Sequence, residues 1–408
     1  MTHTVPELCR AAERRIDEYH VACFRGHQKP LFLISDTYPG IWLEHVYDSV
    51  LLARMYPERL PLAVNTVRLF LRHQTPDGQF PCYIWDAARV HVPPEALVGY
   101  GQTQECVSFA ALCLETAEMA NDPALLSDVY AACSRWDGWL RRNRMTTGRG
   151  LVEMFVGYDT GHDNSGRLAG MAHPGYHTDA AGRILNAACP PDDDGVAPIL
   201  AVDMNCNLYG SERALAEMAR RLGRPDEAGE WEQKAADVKR NLFKHCFCPE
   251  DGFFYDADRS GNLRKYRSST ILHLFLERVL DPDADAALIE RIVSGYLRNP
   301  DEFWTPYPYP SMSASDPSAR EHADRNCWGY FSEALIALRC TRWMDFYGLT
   351  GDFDLLLRRW LDAWTDCFDH MTFRQELDPF TGVPSPSSEW YSSCMLLYLY
   401  AARRLGLD

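Results

Sequence analysis

The chain has 408 residues, a formal charge of −16, 46% hydrophobic residues and 12% aromatic residues. That is enough for one large domain or two ordinary ones with a thick core. The negative charge argues against nucleic acid and anionic membranes as partners, and no stretch approaches the ~20 apolar residues of a membrane span.

The first twenty residues, MTHTVPELCRAAERRIDEYH, are no signal peptide. They read as an amphipathic helix, with Leu8, Ala12, Ile16 and Tyr19 on one face and a capping box from Thr4 to Glu7. Helical periodicity then dominates the chain. It predicts about twelve helices, over 6–23, 42–55, 58–73, 103–121, 124–143, 206–222, 225–245, 269–280, 283–297, 327–348, 352–370 and 390–405. The stretches VSFAALCLETAEMA (107–120) and SSCMLLYLYAA (392–402) are apolar nearly all round, so those helices are expected to be buried.

The connections alternate. Even-to-odd links are tiny, such as Asp122 and Gly223-Arg224, while odd-to-even links run to roughly 20 to 60 residues. Helical hairpins with short turns at one end and long loops at the other describe an all-α, closed (α/α)6 barrel. No low-complexity linker breaks it, so residues 1–408 are expected to form a single domain. Function belongs at the long-loop end. PDGQFPCY (76–83) and PEDGFFY (249–255) echo each other after outer helices and read as turns leading into short strands.

Eleven Trp and 20 Tyr suit either a thick core or stacking on sugar rings. The 14 Cys contain no CxxC pair, and Cys246 and Cys248 are too close together for usual zinc spacing. Free thiols in a reducing cytoplasm are expected, with no structural metal and no cofactor.

Two loops concentrate carboxylates. GYDTGHDNSGRL (157–168) lies between the fifth and sixth helices, and FRQELDPFTGVPSPSSEW (373–390) between the eleventh and twelfth. Half the ring separates them, so they should face each other across the barrel mouth. Two opposed carboxyls over an aromatic-lined cavity suit glycosidic cleavage: one protonates the leaving oxygen, and the other activates water or attacks carbon. A calcium loop is the rival for DTGHDNSG, but the twelve-residue pattern with a terminal Glu is missing, and Met171 stands in that region. A merely solvated loop is the other rival.

TGHDNSGR is similar to the S/T-G-x-D-[DN]-x-P-R segment of glycoside hydrolase family 63 and its trehalase-like relatives. YPGIWLEHVYDSV (38–50) resembles the family's WxWDS segment, and residues 207–256 resemble its paired helices and following turn. DEFWTPYPYPSMSASDPSA (301–319) resembles FWTPY…P…S-A-D-P, and RQELDPFTGVP (374–384) resembles ENYNPxTG. The short chain is most like the compact members that hydrolyse mannosylglycerate or glucosylglycerate. The resemblance implies an (α/α)6 barrel and an inverting mechanism, with Asp163 as general acid and Glu376 as general base. Two departures stand out: YWRGPxW is here NCWGYFS (326–332), matching only at Trp328-Gly329, and Gly166 replaces the Pro of the acid motif, which should loosen that loop.

Each remaining candidate has a plainer alternative. Asp159 competes with Asp163, and Glu389 competes with Glu376 or caps the last helix. His162 tunes Asp163, bonds a sugar hydroxyl, or only orients the loop. Arg167 is expected to pair with a carboxylate. Trp42 and Asp48 lie at the mouth, where Asp48 accepts sugar hydroxyls or serves a helix surface. Tyr100, Gln102 and Gln104 read hydroxyls or cap the next helix. Trp304, Tyr307, Trp328 and Trp390 are stacking candidates or core.

The first reading is an inverting, exo-acting α-glycosidase on a small α-glucoside or α-mannoside, such as a glycosylglycerate or disaccharide, in the cytoplasm. The sequence does not set its oligomeric state. A sugar epimerase is the second reading, disfavoured because the 13 His do not gather around the long loops and His73, His245 and His273 look like ordinary helix residues. A catalytically dead glycan-binding barrel is the third.

Overall fold

The structure, a computed structural model, describes residues 3–24, 27, 29–191, 195–321, 327–368 and 373–408. Asn326 and the end of the eleventh predicted helix, residues 369–370, lie outside the described residues.

The barrel helices are α1 (Val5–Arg15), α2 (Val46–Met55), α3 (Leu60–Arg72), α4 (Phe109–Ala120), α5 (Pro123–Asn143) and α6 (Val202–Arg221). They continue as α7 (Pro225–His245), α8 (His273–Leu276), α9 (Ala286–Ile292), α10 (Ala334–Arg339), α11 (Thr350–Cys367) and α12 (Ser392–Arg404). Two single-turn helices, Pro317–Glu321 and Cys327–Tyr330, lie in the loop before α10. The even helices form the inner ring: α2, α4, α6 and α8 pack in sequence, and α12 packs against both α10 and α2. The odd helices lie outside, with α3, α5 and α7 against their inner neighbours and both α1 and α11 against α12. The chain is an (α/α)6 barrel, as the periodicity implied.

Local chemistry sets the ends. Thr4 and Glu7 form the expected capping box on α1. Ser108 accepts from the Ala111 amide to start α4, and Asp122 accepts from Ala124 and Leu125 to start α5. The inner helix α12 is buried along most of its length, while only half of the residues of α4 are. Trp139, Trp343, Trp360 and Trp364 are wholly buried, so much of the aromatic surplus is core.

The predicted boundaries fail where loops carry function. The helix predicted over 103–121 begins only at Phe109, because residues 102–107 run irregularly and Gln104 takes a left-handed φ of 42°. The helix predicted over 327–348 is broken by the strand Ser332–Glu333, whose backbone pairs antiparallel with Glu376–Leu377. That pairing fixes the second carboxylate loop. A three-stranded sheet of Gly40–Trp42, Tyr83–Trp85 and Val98–Gly99 positions Trp42. A four-stranded one, ordered Leu263–Arg264, Asp256–Ala257, Ile199–Leu200, Glu153–Met154, brackets the first carboxylate loop.

Candidate active site

A cavity of about 810 Å3 is lined by Trp42, Glu44, Gln104, Asp163, Trp328 and Glu376, among others. Asp163 and Glu376, from loops half the ring apart, therefore share one space.

The first loop is built around Asp159. Its carboxylate is fully buried and paired with both terminal nitrogens of the buried Arg144, at 2.6 and 2.7 Å. It also accepts from the backbone amides of Thr103, Phe155 and Val156. A carboxylate so saturated has no capacity left for substrate. Four residues later, Asp163 reaches the cavity with one oxygen, Oδ1, buried and lacking a hydrogen-bond partner. Burial, and then the charge of Glu44, push the Asp163 carboxyl up to about 7.

Glycine geometry holds this loop. Gly161 has φ 69°, and a side chain there would strike Cys106 Sγ at 2.6 Å and Glu44 Oε2 at 2.9 Å. At Gly166 a Cβ would meet Ser318 Oγ at 2.3 Å. Glycine is therefore the residue that fits beside Ser318 at this point of the loop. Arg167 is buried as expected in an ion pair, with Asp203 at 3.0 Å and Asp256 at 3.3 Å.

Glu376 is 4% exposed and accepts from Ser385 Oγ at 2.6 Å. Its rival Glu389 pairs with Arg374 at 2.9 Å and does not line the cavity. Glu44, which the sequence reading missed, also lies on the cavity wall. It accepts from Gln104 Nε2 at 2.9 Å and pairs with the buried Arg339 at 2.8 Å. Its signal was present, one residue beyond Leu43 in the segment that carries Trp42. His45 and Tyr391, hydrogen-bonded at 2.8 Å, line the cavity beside it. Among the described residues, the cavity wall holds three carboxylates and no Lys or Arg.

The other candidates divide clearly. Trp42, Gln104 and Trp328 line the cavity. His162 lies behind, its ring stacked on Trp328 at 4.2 Å. Asp48 faces away and accepts from Ser392 and Ser393 at the start of α12, tying α2 to it. Tyr100 donates its hydroxyl to the His73 carbonyl at 2.6 Å. Gln102 does not line the cavity and donates to Gln104, which does. Trp304 packs on Tyr309, and Trp390 on Phe368 and Phe373. Tyr307 is tied through its backbone to Pro379, Thr305 and Ser332. None of Tyr100, Trp304, Tyr307 and Trp390 lines the cavity, and the contacts named for them are packing and loop-holding ones.

The histidines are less scattered than the sequence suggested. His162 and His273 lie 5.9 Å apart by ring centroid, and Asp203 completes a buried group whose ligand atoms fall within 4.8 Å of one another. Desolvation drives both imidazoles toward the neutral form. The set has the residue types of a cation site, but Asp203 is already neutralised by Arg167, and the Arg339 charge also acts on both imidazoles. Such a balance suits bound water better than a cation.

Residues 52–389 match the family described as "Mannosylglycerate hydrolase MGH1-like glycoside hydrolase domain". The chain belongs to this family. The glycoside hydrolase resembles the GH63 mannosylglycerate hydrolase of Thermus thermophilus, solved in complex with glucose, with a TM-score of 0.73 and 18% identity over 96% of this chain and 99% of that one. It also resembles the neutral trehalase Nth1 of Saccharomyces cerevisiae, with a TM-score of 0.66 and 14% identity over 93% of this chain and 75% of that one. At these identities the likeness is one of fold. An uncharacterized protein of Borreliella burgdorferi is 25% identical over 150 residues, which span 37% of this glycoside hydrolase and 28% of that relative. No helix among the described residues is long and apolar enough to cross a membrane.

Proposed function

We propose that this glycoside hydrolase is an inverting, exo-acting α-glycosidase that cleaves a small α-glucoside or α-mannoside. The observation that carries the reading is the shared cavity of Asp163 and Glu376, with Asp163 held as a carboxylic acid near neutral pH. Asp163 gives its proton to the glycosidic oxygen as the C–O bond breaks. Glu376, oriented by the Ser385 hydroxyl, takes a proton from a water whose oxygen bonds to the anomeric carbon from the opposite face. The sugar ring passes through an oxocarbenium-like state between them. Trp42 and Trp328 offer apolar surface to the ring, and Gln104 offers an amide to its hydroxyls.

Acid and base supply the chemistry, so no cofactor is required. The cavity suits a small glycoside, such as a disaccharide or a glycosylglycerate. Residues 1–408 act as one catalytic domain in the cytoplasm. The epimerase reading gains nothing from His162, which stacks behind Trp328, or from His273, since neither lies on the cavity wall.

The test is an anomer-resolved NMR assay over a panel of α-glucosides and α-mannosides, including the glycerates. Release of the inverted sugar is expected. A retained anomer overturns the mechanism; isomerised sugar, or no free sugar from any member, overturns the glycosidase reading.

A further inference from the structure

The strand pair that fixes Glu376 sets a second carboxyl directly opposite it. In the register of Ser332–Glu333 against Glu376–Leu377, Glu333 is the partner of Glu376. Directly opposed residues of an antiparallel pair project to the same side, with Cβ atoms about 4.5–5.5 Å apart. Glu333 is 1% exposed and does not line the cavity, so it stands behind Glu376 as seen from the substrate side.

The two carboxyls are not equivalent. Glu376 accepts a short hydrogen bond from Ser385 Oγ at 2.6 Å. Neither oxygen of Glu333 has a well-formed hydrogen bond, and the Gln375 side chain is the nearest polar group that favours its charge. Two adjacent carboxyls in a water-poor place cannot both carry charge, and the proton settles on the one with fewer donors. Here that is Glu333.

The groups around the pair support the assignment. Glu44, from the turn before α2, and Glu376 both add negative charge, while Arg339 on α10 is the cation that acts on Glu333. The Cys394 thiol of α12 also faces the pair, and burial first of all holds it protonated, with Asp48 and Glu376 among the acidic groups near it. Burial first, then Glu376 and Glu44, raise the Glu333 carboxyl well above the usual carboxylate range.

We propose that Glu333 is a positioning residue for the base: a carboxyl set directly behind Glu376 that turns a proton toward it, keeps the pair at a single charge and keeps that charge on the oxygen facing water. This role rests on the assignment of Glu376 as general base. No proton leaves Glu333 during turnover; the proton taken from water goes to Glu376 and returns to solvent.

The experiment compares Glu333→Gln and Glu333→Ala in the full chain by pH profiles of kcat and kcat/KM on a cleaved glycoside, with circular dichroism to establish that both fold. The alanine removes the proton donor behind the base. Its kcat should fall by about tenfold or more with KM changed less than about threefold, and its acid limb should move to higher pH, since Glu376 loses a group that stabilised its charge. The glutamine keeps a neutral donor of the same shape, so it should restore kcat to within about threefold and return the limb to its wild-type position. The proposal is overturned if alanine leaves kcat and the limb unchanged, or if a folded glutamine variant is as impaired as alanine. Glu376→Gln and Asp163→Asn run alongside. If those two leave hydrolysis intact, the assignment of acid and base fails, and the role of Glu333 fails with it. If they abolish hydrolysis while Glu333→Ala leaves kcat and the acid limb unchanged, only the present inference is lost.

Discussion

Glu44 and Asp163 face one cavity, and the charge of Glu44 helps to keep the proton on Asp163. The structure gives the task first to burial and then to Glu44, because Glu44 sits against Gly161, two residues before the acid.

The alkaline limb of activity should therefore lie near pH 7, where Asp163 loses its proton. Glu44→Gln removes one negative charge and should move that limb to lower pH, by less than burial contributes, since burial is the larger cause. A kcat/KM profile of the variant checks this. An unmoved or raised limb means that Glu44 does not act on the acid.

Asp163→Asn and Asp159→Asn should fail in different ways. The first removes the proton donor, so its loss should be worst for poor leaving groups and should shrink for an activated aryl glycoside. The second breaks a fully buried, doubly bonded pair with Arg144 and leaves the guanidinium uncompensated. It should cost roughly 3–5 kcal/mol of stability. Denaturant unfolding alongside kinetics on both substrates separates the two. The ion pair with Arg144 is the reason the loss at Asp159 should appear as stability rather than as leaving-group dependence.

The raised carboxyl of Asp163 also has a stability consequence. An acid held protonated to about 7 binds its proton more tightly folded than unfolded, where the carboxyl titrates near ~3.9. Its favourable contribution is complete below that unfolded value and is lost as pH rises toward 7. Asp163→Asn cannot ionise, so it should be no more stable than wild type at pH 4 but more stable at pH 8. Allowing for solvent in the cavity, the gain is roughly 1–3 kcal/mol. Thermal unfolding at the two pH values measures it, and a gain of equal size at both would refute the linkage.

Gly166→Ala should destabilise by roughly 1–3 kcal/mol, because its new methyl meets Ser318, whose hydroxyl is held by Asp316 at 2.7 Å. Combining it with Ser318→Gly should recover part of the loss. Additive losses in a double-mutant cycle would show that the two side chains do not compete for this space.

Much of this molecule is set by local physics that a sequence carries openly. The 3.6-residue periodicity, the Thr4, Ser108 and Asp122 caps and the alternation of short and long connections specify hairpins, and hairpins of that pattern close into a ring. The two carboxylate loops were legible for the same reason: stretches too polar and too irregular for a core helix, half a ring apart. What the sequence could not decide is which polar groups in those loops end up paired. Asp159 and Asp163 look alike in a row of letters. Arg144, fifteen residues away, saturates one and leaves the other turned toward the cavity. Asp48 and Glu44 are likewise one helical turn apart, yet Ser392 and Ser393 hold the first while the second faces the cavity. The strand that sets Glu333 opposite Glu376 lies inside a segment whose periodicity reads as helix, because a two-residue pairing between distant loops leaves no periodic trace. Hydrophobic pattern is a local property of the chain; the pairing of a buried charge depends on residues brought close only by the closed barrel.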